Sequence, residues 1–98
     1  GPLYFGSIES LMRTYTYSSK HNILIIDMNN VTMIDLSGAY ALEDLINNAK
    51  MNNILVYVVN EQDHIKDILE RVDFIKHIGR QSYIHSNRSI LANILKDQ

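Results

Sequence analysis

Two continuous apolar runs constrain this chain most: "NILIIDM" at residues 22 to 28 and "ILVYVV" at residues 54 to 59. Each is rich in β-branched residues, about the length of one strand, and shows no polar alternation. That is the signature of a strand covered on both faces, as in a parallel sheet. Each is followed by a segment whose apolar residues recur at i, i+3, i+4 and i+7, the spacing of one face of a helix. After the first run the stripe is Leu42, Leu45, Ile46 and Ala49, with Glu43, Asp44, Asn47 and Lys50 outside and a stop near Asn52 and Asn53. After the second it is Ile65, Ile68, Leu69 and Val72, with Asn60 as the expected cap, running through "FIKHIG" to Gly79.

The flanks fill in the pattern. "LYF" at residues 3 to 5 reads as a strand, the tail of one cut short by the start of the chain, and Ile8, Leu11, Met12 and Tyr15 as a helical stripe capped by Ser7. A short "SYI" strand follows Gly79. Ser86 or Asn87 then caps a last helix that turns Ile90, Leu91, Ile94 and Leu95 inward. The expected fold is a single α/β domain over residues 1–98, with a mostly parallel four- or five-stranded sheet, about four helices and right-handed crossovers.

Composition narrows the function classes. With 98 residues, 46% of them hydrophobic, there is one modest core. No cysteine is present, which excludes disulfides and thiolate metal sites. A formal net charge of -2 with scattered Lys and Arg offers no basic stripe for nucleic acid. Neither apolar run approaches the roughly 20 residues that span a bilayer as a helix, so no direct membrane insertion is expected of these residues. His21, His64, His77 and His85 are dispersed and read as surface or edge histidines rather than metal ligands. Asp27 and Asp35 are read as ending successive strands, the second formed by "VTMI", where turn and cap roles outweigh a paired acid/base site. Ser37 has no GxSxG frame, and no GxGxxG or GxxxxGK[ST] loop occurs, so neither an enzyme nor a bound cofactor is expected. The tyrosines Tyr4, Tyr15, Tyr17, Tyr40 and Tyr83 read as sheet and core cover before docking surface, and the methionines as core filler.

The informative stretch is "VTMIDLSGAYAL", residues 31 to 42, where an apolar run empties into an acid, a hydroxyl and a glycine just before a helix. Asp35 and Ser37 suit helix capping and Gly38 a tight turn or close approach. "IDLSG" followed by an amphipathic helix, after a strand ending in "IDM", resembles the STAS domain, shared by anti-sigma-factor antagonists and the cytoplasmic ends of sulfate permease (SulP) family transporters. "GPLYFGS" and "ILERVDFIKHIGRQSYIHSNRSILANIL" are similar to the opening and closing segments of the transporter branch.

The resemblance implies a non-enzymatic regulatory and protein-interaction domain at the cytoplasmic face of the inner or plasma membrane, part of an anion transporter. Its partners would be the transmembrane transport core of the same polypeptide and a soluble protein or second protomer. The partner-facing loop and helix start would be Asp35, Leu36, Ser37, Gly38, Tyr40, Glu43 and Asp44, with Ser37 matching the serine that antagonists have phosphorylated. Here Leu36 replaces the first of the two serines many antagonists carry. The alternative is a free-standing anti-sigma-factor antagonist switched at Ser37.

Overall fold

The computed structural model describes residues 13–18 and 22–96. Four strands form one sheet in the order β1-β2-β3-β4: β1 Arg13–Ser18, β2 Asn22–Asp27, β3 Ile54–Val59 and β4 Tyr83–Ile84. β2, β3 and β4 run parallel, and β1 lies antiparallel to β2. Four helices are described: α1 Leu36–Met51, α2 Asp63–Arg71, α3 Phe74–Ile78 and α4 Leu91–Lys96. The expected α/β class and the mostly parallel sheet are found; the four helices among the described residues are not one for one the four expected.

The apolar runs become strands because both faces are covered. Leu24 and Ile26 of β2 join Val56 and Val58 of β3 under α1, α2 and α3, around Leu42, Ile46, Ile65, Leu69, Phe74 and Ile78. Ile23, Ile25 and Val59 point the other way, where Ile90, Leu91, Ile94 and Leu95 pack against them. The period of 2 in a strand thus feeds two separate cores from one uninterrupted run. The inward stripes of α1 and α4 are those the spacing predicts.

Several expectations change. Tyr15, read as helical, lies in β1, where "TYTY" follows the β preference of threonine and tyrosine and pairs with β2. The proposed strand at residues 3 to 5, and Ser7, Ile8, Leu11 and Met12 of the proposed helix, lie outside the described residues. The long helix expected after β3 is two helices, because Asp73 takes a left-handed conformation (φ 56°) that breaks the ladder between α2 and α3. Asn60 is not the cap of α2; Gln62 holds that position without a side-chain cap bond. "VTMI" is irregular rather than a strand, and Met33 and Met51 are exposed rather than core filler.

Candidate functional site

The candidate site is the loop between β2 and α1 with the first turns of that helix, at the carboxyl edge of the parallel strands, where open α/β sheets place their binding surfaces. Its foundation is a set of side-chain amides. Buried Asp27 ends β2 and accepts from both the backbone and side-chain N–H of Asn29, at 3.0 and 2.9 Å. Asn29 in turn accepts from the Glu61 backbone N–H at 2.6 Å and donates to the Ser86 carbonyl. Gln62 Nε2 reaches the carbonyls of Met28 (3.0 Å) and Val31 (2.8 Å), and His64 Nε2 donates to the Thr32 carbonyl. Three loops at one end of the sheet are thereby tied together. Met28, Val31 and Ile34 hold the loop from below as buried apolar anchors.

This scaffold sets the start of α1. Asp35, with extended backbone, is its N-cap and accepts from the Gly38 N–H at 2.7 Å, while the Asp35 carbonyl receives Ala39 N–H. The cap is therefore Asp35 and not Ser37, which sits exposed within the first turn. Gly38 is inside the helix and buried, so it relieves no turn. Asp27 and Asp35 each serve a turn or a cap, as expected.

Burial sorts the remaining predicted residues. Leu36, Ser37, Tyr40 and Asp44 are exposed, and with Asn48 and Met51 they form the outward strip of α1, in which Asp44 is the one charge. Exposed Met33 adjoins the strip in sequence; Leu36, Tyr40 and Met33 are each about half accessible. Such apolar exposure on a strip with one charge departs from the usual polar outer face of a helix. Glu43 does not belong to this surface. It is 7% accessible, with Oε1 on His77 Nδ1 of α3 at 2.7 Å, and its Oε2 is buried without a partner among the described residues. Lys50, also expected outside, turns to the α3 terminus and donates to the Ile78 carbonyl.

A second polar chain, unread in the sequence, joins β4 to α2. Asn60 Nδ2 donates to the Tyr83 hydroxyl oxygen at 3.0 Å, Tyr83 meets His85 Nδ1 at 2.8 Å, and His85 Nε2 meets Asp63 at 2.8 Å. A carboxylate only accepts, so Nε2 carries the proton and a neutral His85 accepts from the Tyr83 O–H. Burial is the main cause that raises the Tyr83 pKa; the Asn60 bond lowers it, and Glu70 and Asp63 add to the rise. A tyrosine held neutral in this way is a structural tie rather than an activated nucleophile. The alternation of Tyr83 and His85 about Ile84 was the available signal.

A three-stranded parallel core, helices on both faces and a polar loop cluster at the carboxyl edge define an α/β domain of the open-sheet class. The chain matches the STAS domain family over residues 1–89. It is 32% identical over 92 residues to a protein of Bacillus subtilis (strain 168) named "Putative sulfate transporter YvdB", covering 92% of this chain and 17% of that protein. The chain belongs to the STAS domain family. It spans about a sixth of the length of that relative. Among the described residues no helix is long and apolar enough to cross a membrane.

Proposed function

We propose that this STAS domain is a non-enzymatic regulatory and interaction module of a sulfate-permease-type anion transporter, held at the cytoplasmic face of the membrane. The likeness to a putative sulfate transporter over nearly the whole chain carries this reading. It favours the transporter branch over the free-standing antagonist. The outward strip Leu36, Ser37, Tyr40 and Asp44, with Met33, supplies the contact surface, since exposed apolar side chains beside a rigid cap suit a protein partner. The partner is the transport core of the same polypeptide or a soluble protein. Ser37 is an accessible phosphate acceptor; its place in the first turn favours the added charge through the helix dipole, while Asp35 opposes it.

The test is labelled sulfate uptake by cells expressing the full-length protein, with Leu36→Ser and Tyr40→Ser introduced together. Uptake that changes while the amount of protein in the membrane fraction stays constant supports the reading. Recovery of the native antigen as a soluble species near the size of this chain overturns the transporter assignment, and unchanged uptake removes the strip from regulation.

A further inference from the structure

The tie between β4 and α2 does not stop at Asn60. This fully buried residue gives one amide proton to the Tyr83 hydroxyl oxygen and the other to the Gln62 carbonyl, both at 3.0 Å. Its Oδ1 accepts from the Gln62 backbone N–H and approaches Gln62 Nε2, both at 3.2 Å. The same Gln62 Nε2 holds the Met28 and Val31 carbonyls. Two amide protons thus serve three acceptors, and a change in the position of Asn60 redistributes them over the loop that leads to the Asp35 cap. Hydrogen bonds run without a gap from His85, through Tyr83, Asn60 and Gln62, to residues 28–31.

His85 is where this chain of bonds meets solvent. Its side chain is 28% accessible, and that of its partner Asp63 is almost fully exposed. The charged groups facing the Tyr83 and His85 pair are Asp63 of α2 and Glu70 of the same helix. Among the described residues no lysine or arginine forms an ion pair with either. β4 contributes Tyr83 itself, and the end of β3 contributes the uncharged amide of Asn60.

The two charge states of the imidazole make opposite demands on the hydroxyl. Neutral His85 spends its one proton on Asp63 and offers Nδ1 as an acceptor, so the Tyr83 O–H points at it across 2.8 Å. Protonated His85 has no acceptor left: Nδ1–H now donates, and the Tyr83 O–H must turn away. The acceptor within its reach is the Asn60 backbone carbonyl, at 3.5 Å, too long for a good bond between oxygens as it stands. Closing that distance draws the Tyr83 hydroxyl and Asn60 together.

We propose that His85 is a proton sensor whose charge state is passed by the Tyr83 hydroxyl, Asn60 and Gln62 to residues 28–31, at the foot of the candidate site. The two-state element is the phenolic O–H, with Nδ1 as its acceptor in one state and the Asn60 carbonyl in the other. Histidine is the side chain suited to this, because it changes charge between about pH 5 and 8. Burial keeps the Tyr83 proton in place over that range. A proton gained from water at His85 thereby changes how Gln62 Nε2 divides its bonds among Asn60, Met28 and Val31. The device acts on the loop backbone and does not rest on the transporter reading or on what meets the outward strip.

The test is heteronuclear NMR of the isotopically labelled 98-residue chain, titrated between about pH 8 and 5. His64 also meets the loop, at the Thr32 carbonyl, so His64→Gln is the background; it keeps a donor there and removes a second titrating ring. The expected result is one midpoint shared by the His85 ring, the Gln62 side-chain amide, and the Asn29 and Thr32 amides, whose peptide units contain the Met28 and Val31 carbonyls. Tyr83→Phe keeps the His85 titration and abolishes the shift at Gln62. His85→Gln, which has no ring to titrate, removes the midpoint from Gln62, Asn29 and Thr32 alike. A Gln62 amide that stays still while His85 titrates overturns the proposal, as does one that moves equally in Tyr83→Phe. A His85 ring that keeps one charge over the whole range, or a loop midpoint that survives in His85→Gln, also overturns it.

Discussion

The Glu43 carboxylate meets the His77 imidazole at 2.7 Å, and this contact fastens α1 to α3 across a largely apolar interface. The pair is lopsided: the Glu43 side chain is 9% accessible and the His77 side chain 47%. With Oε2 already lacking a partner among the described residues, His77→Ala leaves the carboxylate buried without either of its contacts there, at a cost of about 1–3 kcal/mol. Glu43→Gln in the same background recovers part of that loss, because a neutral amide is cheaper to bury than a charge. Urea denaturation of the two single variants and the double variant measures the coupling, and additive effects would remove the pair from the account.

Asp35 fixes the start of α1 through one bond to the Gly38 N–H. Asp35→Ala removes it and costs about 1 kcal/mol, whereas Asp35→Ser keeps an acceptor and most of the stability. The urea midpoint should fall for the alanine variant with the slope unchanged. A shifted slope would point to a larger rearrangement of the loop.

Gly79 has φ 99°, and a Cβ built there would meet Gln81 and the Lys50 ammonium at 3.1 to 3.2 Å. Gly79→Ala is therefore strained in the backbone and crowded at the cap of α3, with an expected cost of more than about 1 kcal/mol. Thermal unfolding should show a lower midpoint. An unchanged midpoint would mean that the turn before β4 relaxes freely.

Tyr83 titrates above its ordinary value of 10.0, chiefly because burial disfavours the phenolate. A group raised in the folded state contributes stability that is whole below its unfolded pKa and is lost as pH rises through the folded one. The domain should therefore lose stability above about pH 10, and ultraviolet titration should contain a late tyrosine component. Tyr83→Phe removes that component; its persistence would assign the late titration to another tyrosine.

How much of this was legible in the sequence varies by element. β2, β3 and the inward stripes of α1 and α4 could be read because their patterns are local and unopposed by other signals. Tyr15 was misplaced because an i, i+3, i+4, i+7 match outweighed the β preference of "TYTY", and only pairing with β2 separates the two. The break at Asp73 was hidden because aspartate carries no fixed signal for a positive φ. At the candidate site, the Asp35 position and the exposure of Ser37 and Tyr40 suited the reading, but Glu43 did not. A charged residue beside an apolar stripe looks external until a histidine 34 positions later is brought against it.

By itself, then, the sequence determined the α/β alternation, the order of the apolar strands and the place where a helix begins after a buried run. Those features depend on periodicity and on neighbours within a few residues. The tertiary structure alone decided which polar side chains are buried and which apolar ones are not. Burial of Glu43 and the links from Asn60 to Asp63 through Tyr83 and His85 depend on contacts between elements distant in the chain. Such contacts are set by how helices and strands pack, and no short stretch of residues encodes them.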